Sequence, residues 1–232
     1  MMRETGRVVE NARFTAILFD FDGVLVDSEY AGNLNIAKWL NEAGYATSPE
    51  QVASKLMGKS GSAFTQTLEQ WIGAPVPAAF DELRHLERER QMINGIDAVR
   101  GAVSFVNDLP KDLPIAVASS SLKVWIDRHL RHIGLRETFG SHIFSGQEDV
   151  VVGKPAPDIY FHAASQLGVS ISDCVVLEDS LSGASAAVSS GAYVIGLCAG
   201  SHSSPDLAKG LLSIGVNEIA MSFDSVRKKL GL

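Results

Sequence analysis

The chain is 232 residues long, 46% hydrophobic and 20% charged, values that exclude a disordered or fibrous protein and leave room for one large domain or a domain carrying an insertion. A formal net charge of −7, with no Lys/Arg cluster interleaved with aromatics, argues against an extended nucleic-acid surface. No run is apolar enough to cross a membrane, and the two cysteines, Cys174 and Cys198, sit within apolar runs, which fits free thiols in a reducing cytoplasm better than a disulfide framework or a zinc site.

Residues 1–13 are polar, with Arg3, Glu4, Arg7 and Glu10 and no apolar centre, so they read as a flexible leader rather than a signal peptide. The first strand is expected at 16–19. From about 30 to 94 the pattern becomes four successive helices with no strand between them: 31–43, ended by Gly44; one opened by Ser48-Pro49-Glu50; 62–71; and 78–94. Trp39 and Trp71 fall on these helices as packing residues. Hinges are expected at 28–30 and 95–98. Beyond them, helices at 101–109, 123–133, 158–167 and 182–190 alternate with strands at 115–118, 142–144, 174–177 and 193–197. Gly134, Gly168 and Gly191 follow three of those helices as stops. An edge strand at 216–219 and a closing helix at 225–230 complete the chain. The fold class expected is α/β, a Rossmann-like, mainly parallel sheet formed by 14–29 and 96–232, with a helical domain of 30–95 inserted after the first strand.

Several strands run directly into polar groups. The first ends in Asp20-Phe21-Asp22-Gly23, which sets two carboxylates at a C-terminal strand end, where open parallel sheets bind ligands. Gly23 lets the backbone turn sharply there. The strand at 115–118 ends in Ser119-Ser120-Ser121, and that at 174–177 in Glu178-Asp179. Between them, Gly153-Lys154-Pro155-Ala156-Pro157-Asp158 places one lysine ahead of a helix, stiffened by two prolines.

Four such motifs in this order resemble the haloacid-dehalogenase-like superfamily, whose first motif is Asp-x-Asp-Gly after an apolar strand. The resemblance covers nearly the whole chain. It implies that Asp20 attacks phosphorus to form an aspartyl-phosphate, while Asp22 protonates the leaving oxygen and then activates water. It further implies that Ser119 binds the transferring phosphoryl group, with Ser120 and Ser121 as further substrate contacts, and that Lys154 neutralises the gathered negative charge. Glu178 and Asp179 match the family's metal motif. The implied cofactor is Mg²⁺, held by Asp20, the Asp22 main-chain carbonyl, Asp179 and, through water, Glu178. The inserted helices match a cap of the C1 type that closes over the site.

Within the superfamily the chain looks most like the β-phosphoglucomutase-like branch, and Phe144-Ser145-Gly146 and Phe161-His162-Ala163-Ala164 are similar to stretches of its phosphogluconate and sugar-phosphate phosphatases. Mutases of that branch carry a His soon after the first motif and a cap Arg in a Gly-x-Ser-Arg context. Here Ala31, flanked by Tyr30 and Gly32, stands near the first place, and Gly58-Lys59-Ser60-Gly61 replaces the second. Both departures favour a phosphatase over a phosphomutase. Lys59 is either a contact for an anionic substrate or a solvated lysine. A non-catalytic binding module is the reading from another class, and it would not need the set Asp20, Asp22, Ser119, Lys154 and Asp179. His85, His129, His132, His142, His162 and His202 show no metal-ligand spacing. The expected protein is a monomeric phosphatase acting on a small phosphate ester, with no nucleic-acid or membrane partner.

Overall fold

The computed structural model describes residues 14–56, 61–77 and 79–232. Six parallel strands form one sheet: β1 (Ala16–Phe19), β2 (Ile115–Ser119), β3 (Ile143–Ser145), β4 (Cys174–Glu178), β5 (Tyr193–Leu197) and β6 (Glu218–Ala220), in the order β3-β2-β1-β4-β5-β6. Each strand residue alternates between two buried faces. Ile17 and Phe19 enter one apolar cluster with Phe105 and Phe139, while Ala16 and Leu18 enter the other with Tyr160 and Val176. Burial on both faces explains why these strands read as continuous apolar runs. The helices on the first face are α5 (Ala102–Asp108), α6 (Lys123–His132), the short α7 (Arg136–Phe139) and α11 (Phe223–Leu230). On the second lie α8 (Asp158–Leu167), α9 (Leu181–Ser190) and α10 (Pro205–Ile214).

The chain moves outward from β1 to β3, then returns to lay β4 on the other side of β1. Such a reversal opens a crevice at the C-terminal ends of the two strands on either side of it. Register makes those ends level: Phe19 pairs with Leu177, and the Asp20 amide donates to the Leu177 carbonyl at 3.0 Å.

The inserted helices are α1 (Ser28–Glu42), α2 (Pro49–Leu56), α3 (Gly61–Ile72) and α4 (Ala79–Asn94). They pack around their own cluster of Leu40, Val52, Phe64, Leu68 and Phe80, and Trp39 lies against Phe80 with ring centroids 4.5 Å apart. The two segments joining them to the sheet run side by side, tied by Asp27 N–H to Asp97 O at 2.9 Å and Val99 N–H to Leu25 O at 3.1 Å.

Four features differ from the sequence expectation, the first being the short α7, for which no element is expected. Residues 28–30 are the first turn of α1 rather than a hinge, because the Asp27 carbonyl already accepts the Ala31 amide at 3.2 Å. The edge strand lies at Glu218–Ala220, so only its first two residues overlap the expected segment. Helix α10 was not anticipated, although Ser204-Pro205 carries the start signal that Ser48-Pro49 does: Ser204 Oγ accepts the Leu207 amide at 3.1 Å. The expected leader at 1–13 and Lys59 lie outside the described residues. Cys174 and Cys198 are buried free thiols, and burial pushes the Cys174 thiol up to about 11.

Candidate active site

The ends of β1 and β4 bring Asp20, Glu178 and Asp179 together, with one carboxylate oxygen of each within 4.8 Å of the others. All three are buried. Three buried carboxylates are costly unless paired. Lys154 supplies one pairing: its Nζ lies 2.7 Å from Asp20 Oδ1 and 2.6 Å from Glu178 Oε1. Burial pulls the lysine's pKa down, but Asp20 and Glu178 more than offset this and hold it well above the usual lysine range. Burial pushes Asp20 well above the carboxylate range, with Glu178 adding to the effect and Lys154 opposing it. A further cation beside Asp20 would keep it ionised.

Glu178 has its hydrogen-bonding capacity largely used. Oε1 accepts from Lys154 and from the Tyr160 hydroxyl at 2.7 Å, and Oε2 faces the amides of Asp179 and Ser180 and the Ser180 hydroxyl at 3.1–3.2 Å. Ser180 is the N-cap of α9, its Oγ accepting the Gly183 amide at 3.0 Å. Gly183 has no alternative, since a Cβ there would fall 1.7 Å from Glu178 Oε1.

Asp179 is bound on one side only. Its Oδ2 lies 2.9 Å from His202 Nε2, while Oδ1 is buried without a hydrogen-bond partner among the described residues. Burial raises its pKa to about 6 against the pull of His202. An unsatisfied buried carboxylate oxygen next to Asp20 is what a hard cation with oxygen ligands requires, so these residues fit Mg²⁺. Gly23 is required twice over: its φ is +79°, and a Cβ would lie 1.8 Å from Asp179 Oδ2.

Asp22 sits half-buried one step beyond β1, where Gly23 N–H bonds to Val26 O at 2.7 Å and closes a turn. Both of its carboxylate oxygens are held, Oδ2 by the Ser121 hydroxyl at 2.6 Å and Oδ1 by Trp125 Nε1 at 3.2 Å. Ser119, the last residue of β2, is buried, and its Oγ accepts the Ser121 amide at 3.0 Å. Ser120 is exposed, with its carbonyl accepting from Gln147. The structure therefore joins Asp20, Lys154 and Glu178 in one bonded cluster, sets the Asp179 carboxylate beside it, and joins Asp22 to the Ser119–Ser121 loop.

Sequence reasoning missed His202, Tyr160 and Trp125. Spacing among the histidines carries no signal for His202, which reaches Asp179 from the loop after β5, the strand next to β4. A polar side chain shortly after the end of a neighbouring strand is the signal that would have found it. Glycines clear its place too, since a Cβ on Gly200 would come within 2.7 Å of the His202 ring.

Residues 14–191 match the family model described as a haloacid dehalogenase-like hydrolase. The chain belongs to that family. Hexitol phosphatase A of Escherichia coli is 35% identical over 79% of this chain and 82% of its own length, and the 6-phosphogluconate phosphatase of that organism is 27% identical over 84% and 87%. A haloacid dehalogenase family hydrolase of Deinococcus radiodurans, crystallised with bound phosphate and sodium, superposes with a TM-score of 0.86 at 32% identity, covering 95% of this chain and 96% of that one. This haloacid dehalogenase-like hydrolase is a phosphatase, and its substrate is a small phosphate ester. None of its described helices is long and apolar enough to cross a membrane.

Proposed function

We propose that this phosphatase is Mg²⁺-dependent and hydrolyses a phosphorylated sugar, sugar acid or sugar alcohol through an aspartyl-phosphate on Asp20. The observation that carries the reading is the cluster at the β1 and β4 ends, in which Lys154 bridges Asp20 and Glu178 while Asp179 Oδ1 has no partner among the described residues. Asp20, the Asp22 main-chain carbonyl and Asp179 would hold the ion, with Glu178 acting through water because its own oxygens are taken. A bound Mg²⁺ supplies charge neutralisation between nucleophile and phosphate.

An Asp20 carboxylate oxygen bonds to phosphorus as the bond to the leaving oxygen breaks, and Asp22 gives that oxygen its proton. Water then loses a proton to Asp22 and attacks phosphorus, releasing inorganic phosphate and restoring Asp20. Lys154 stays protonated throughout and holds Asp20 in line. Ser119 and Ser121 line the phosphoryl side. Helices α1–α4 act as the cap that excludes bulk water and reads the alcohol portion. The relatives named for hexitol phosphate and 6-phosphogluconate support a polyhydroxylated substrate.

The test is phosphate release from a panel of hexose phosphates, hexitol phosphates and 6-phosphogluconate, with Mg²⁺ and after exhaustive chelation. Turnover of at least one, lost with the metal and restored by adding it back, is expected. Full activity without metal would overturn the cofactor assignment. Isomer appearing ahead of inorganic phosphate in phosphorus NMR, on hexose 1-phosphate with catalytic bisphosphate, would replace hydrolysis by mutase chemistry.

A further inference from the structure

Trp125, two residues into α6, touches both parts of the molecule. Its indole Nε1 donates to Asp22 Oδ1 at 3.2 Å, and its ring packs against the sheet cluster, edge-on to His129 with centroids 4.2 Å apart. From the other side, the guanidinium of Arg88 on α4 lies 5.6 Å from the indole centroid. One turn further along α6, Arg128 donates to the carbonyls of Met92, at 2.5 Å, and Ile93 at the end of α4. Those are carbonyls a helix leaves without internal partners, so α6 caps α4. One helix thus fastens the last inserted helix at its end and, through a side chain of the preceding turn, fixes a carboxylate of the site.

We propose that Trp125 is a positioning residue for Asp22 and that Arg88 couples its indole to the placement of α4. The inference rests on reading Asp22 as the acid/base. A carboxyl that must first reach a leaving oxygen and later a water has to be held in one plane, and a carboxylate on a turn has rotational freedom to lose. Ser121 restrains Oδ2 and Trp125 restrains Oδ1, so losing the indole donor leaves Asp22 free to turn about its remaining bond. Arg88 on the indole face resists tilting of that ring. A shift of α4 as substrate enters is then felt at Asp22 without any direct contact between the two.

The test compares kcat/KM for glycerol 2-phosphate, whose alkoxide leaves only with a proton, and 4-nitrophenyl phosphate, whose phenolate leaves without one. In Trp125→Phe the ring is kept and the donor lost. Activity on glycerol 2-phosphate should fall about tenfold to 10²-fold further than activity on 4-nitrophenyl phosphate. In an Asp22→Asn background the same change should add nothing to that discrimination. Arg88→Met, an exposed change that keeps the apolar stem, should move the ratio in the same direction by about two- to fivefold, and it serves if Trp125→Phe fails to fold. Equal losses on both substrates, no loss, or an undiminished effect in the Asp22→Asn background would overturn the positioning role. Wild-type protein that turns over neither of these substrates nor any of the hexose phosphates, hexitol phosphates and 6-phosphogluconate would sink the proposed function itself.

Discussion

The sheet end and the inserted helices bury different things. At the sheet end, charged groups are buried and partnered: Lys154 is shared by Asp20 and Glu178, Glu178 is saturated by Tyr160 and the α9 N-terminus, and Asp179 is tied to His202. In the helices, the buried side chains among the described residues are apolar, such as Leu40, Phe64, Leu68 and Phe80, and most of the charges of α4 are exposed. The first region spends stability on chemistry and tolerates few substitutions. The second asks only that its helices pack, which leaves its polar surface free to vary with the substrate.

The sharpest way to break this comparison is Asp20→Asn. If the chemistry resides wholly at the sheet end, turnover should fall by roughly 10⁴-fold or more on every substrate, whatever the alcohol portion, and no phosphoenzyme should be trapped by acid quench. Residual turnover that varied with the alcohol, after deamidation is excluded by mass spectrometry, would show groups of the inserted helices acting chemically.

A smaller effect is expected one step outward. His202 fixes Asp179 Oδ2 and leaves Oδ1 buried without a partner among the described residues, so His202→Ala should weaken Mg²⁺ binding about tenfold to 10²-fold in calorimetric titration, with far less change in kcat once the ion is saturating. Unchanged affinity would reduce His202 to a packing residue.

Much of this was legible in the sequence, for reasons that lie in the parallel sheet. A strand buried on both faces writes a continuous apolar run, so its end is visible, and Asp20, Ser119 and Glu178-Asp179 are each the first polar residues past such a run. Lys154 was legible through its glycine and prolines. What was not legible is held by through-space bonds with no local pattern. Trp125 is 103 residues from Asp22, and Tyr160 is 18 from Glu178 and faces it from a helix on the sheet's second face. The roles of Ser120 and Ser121 also depend on side-chain direction. Ser121 turns its hydroxyl to Asp22, while Ser120 is directed outward, a distinction that three identical residues in a row cannot express.

The weakest expected effect concerns the boundary between the two regions. His129 is fully buried on α6 beneath Trp125, and neither ring nitrogen has a hydrogen-bond partner among the described residues. Desolvation lowers its pKa from 6.5 to about 4, so in the folded protein it stays neutral where the unfolded chain would protonate it. The unfolded state therefore binds more protons between those two values. The stability this contributes is fully present above pH 6.5 and is lost as pH falls toward 4. Asp20 and Asp179 act in the opposite sense, because their raised values favour the folded state as they take up protons on acidification. Net acid sensitivity of the wild type mixes both signs, and only a difference isolates the histidine. His129→Leu should lose several degrees less than wild type in melting temperature between pH 7 and pH 5, measured by calorimetry on metal-free protein. Parallel curves would mean that water reaches the ring, and the seam between α6 and the inserted helices would then be as wet as the helices' outer face rather than as dry as the sheet.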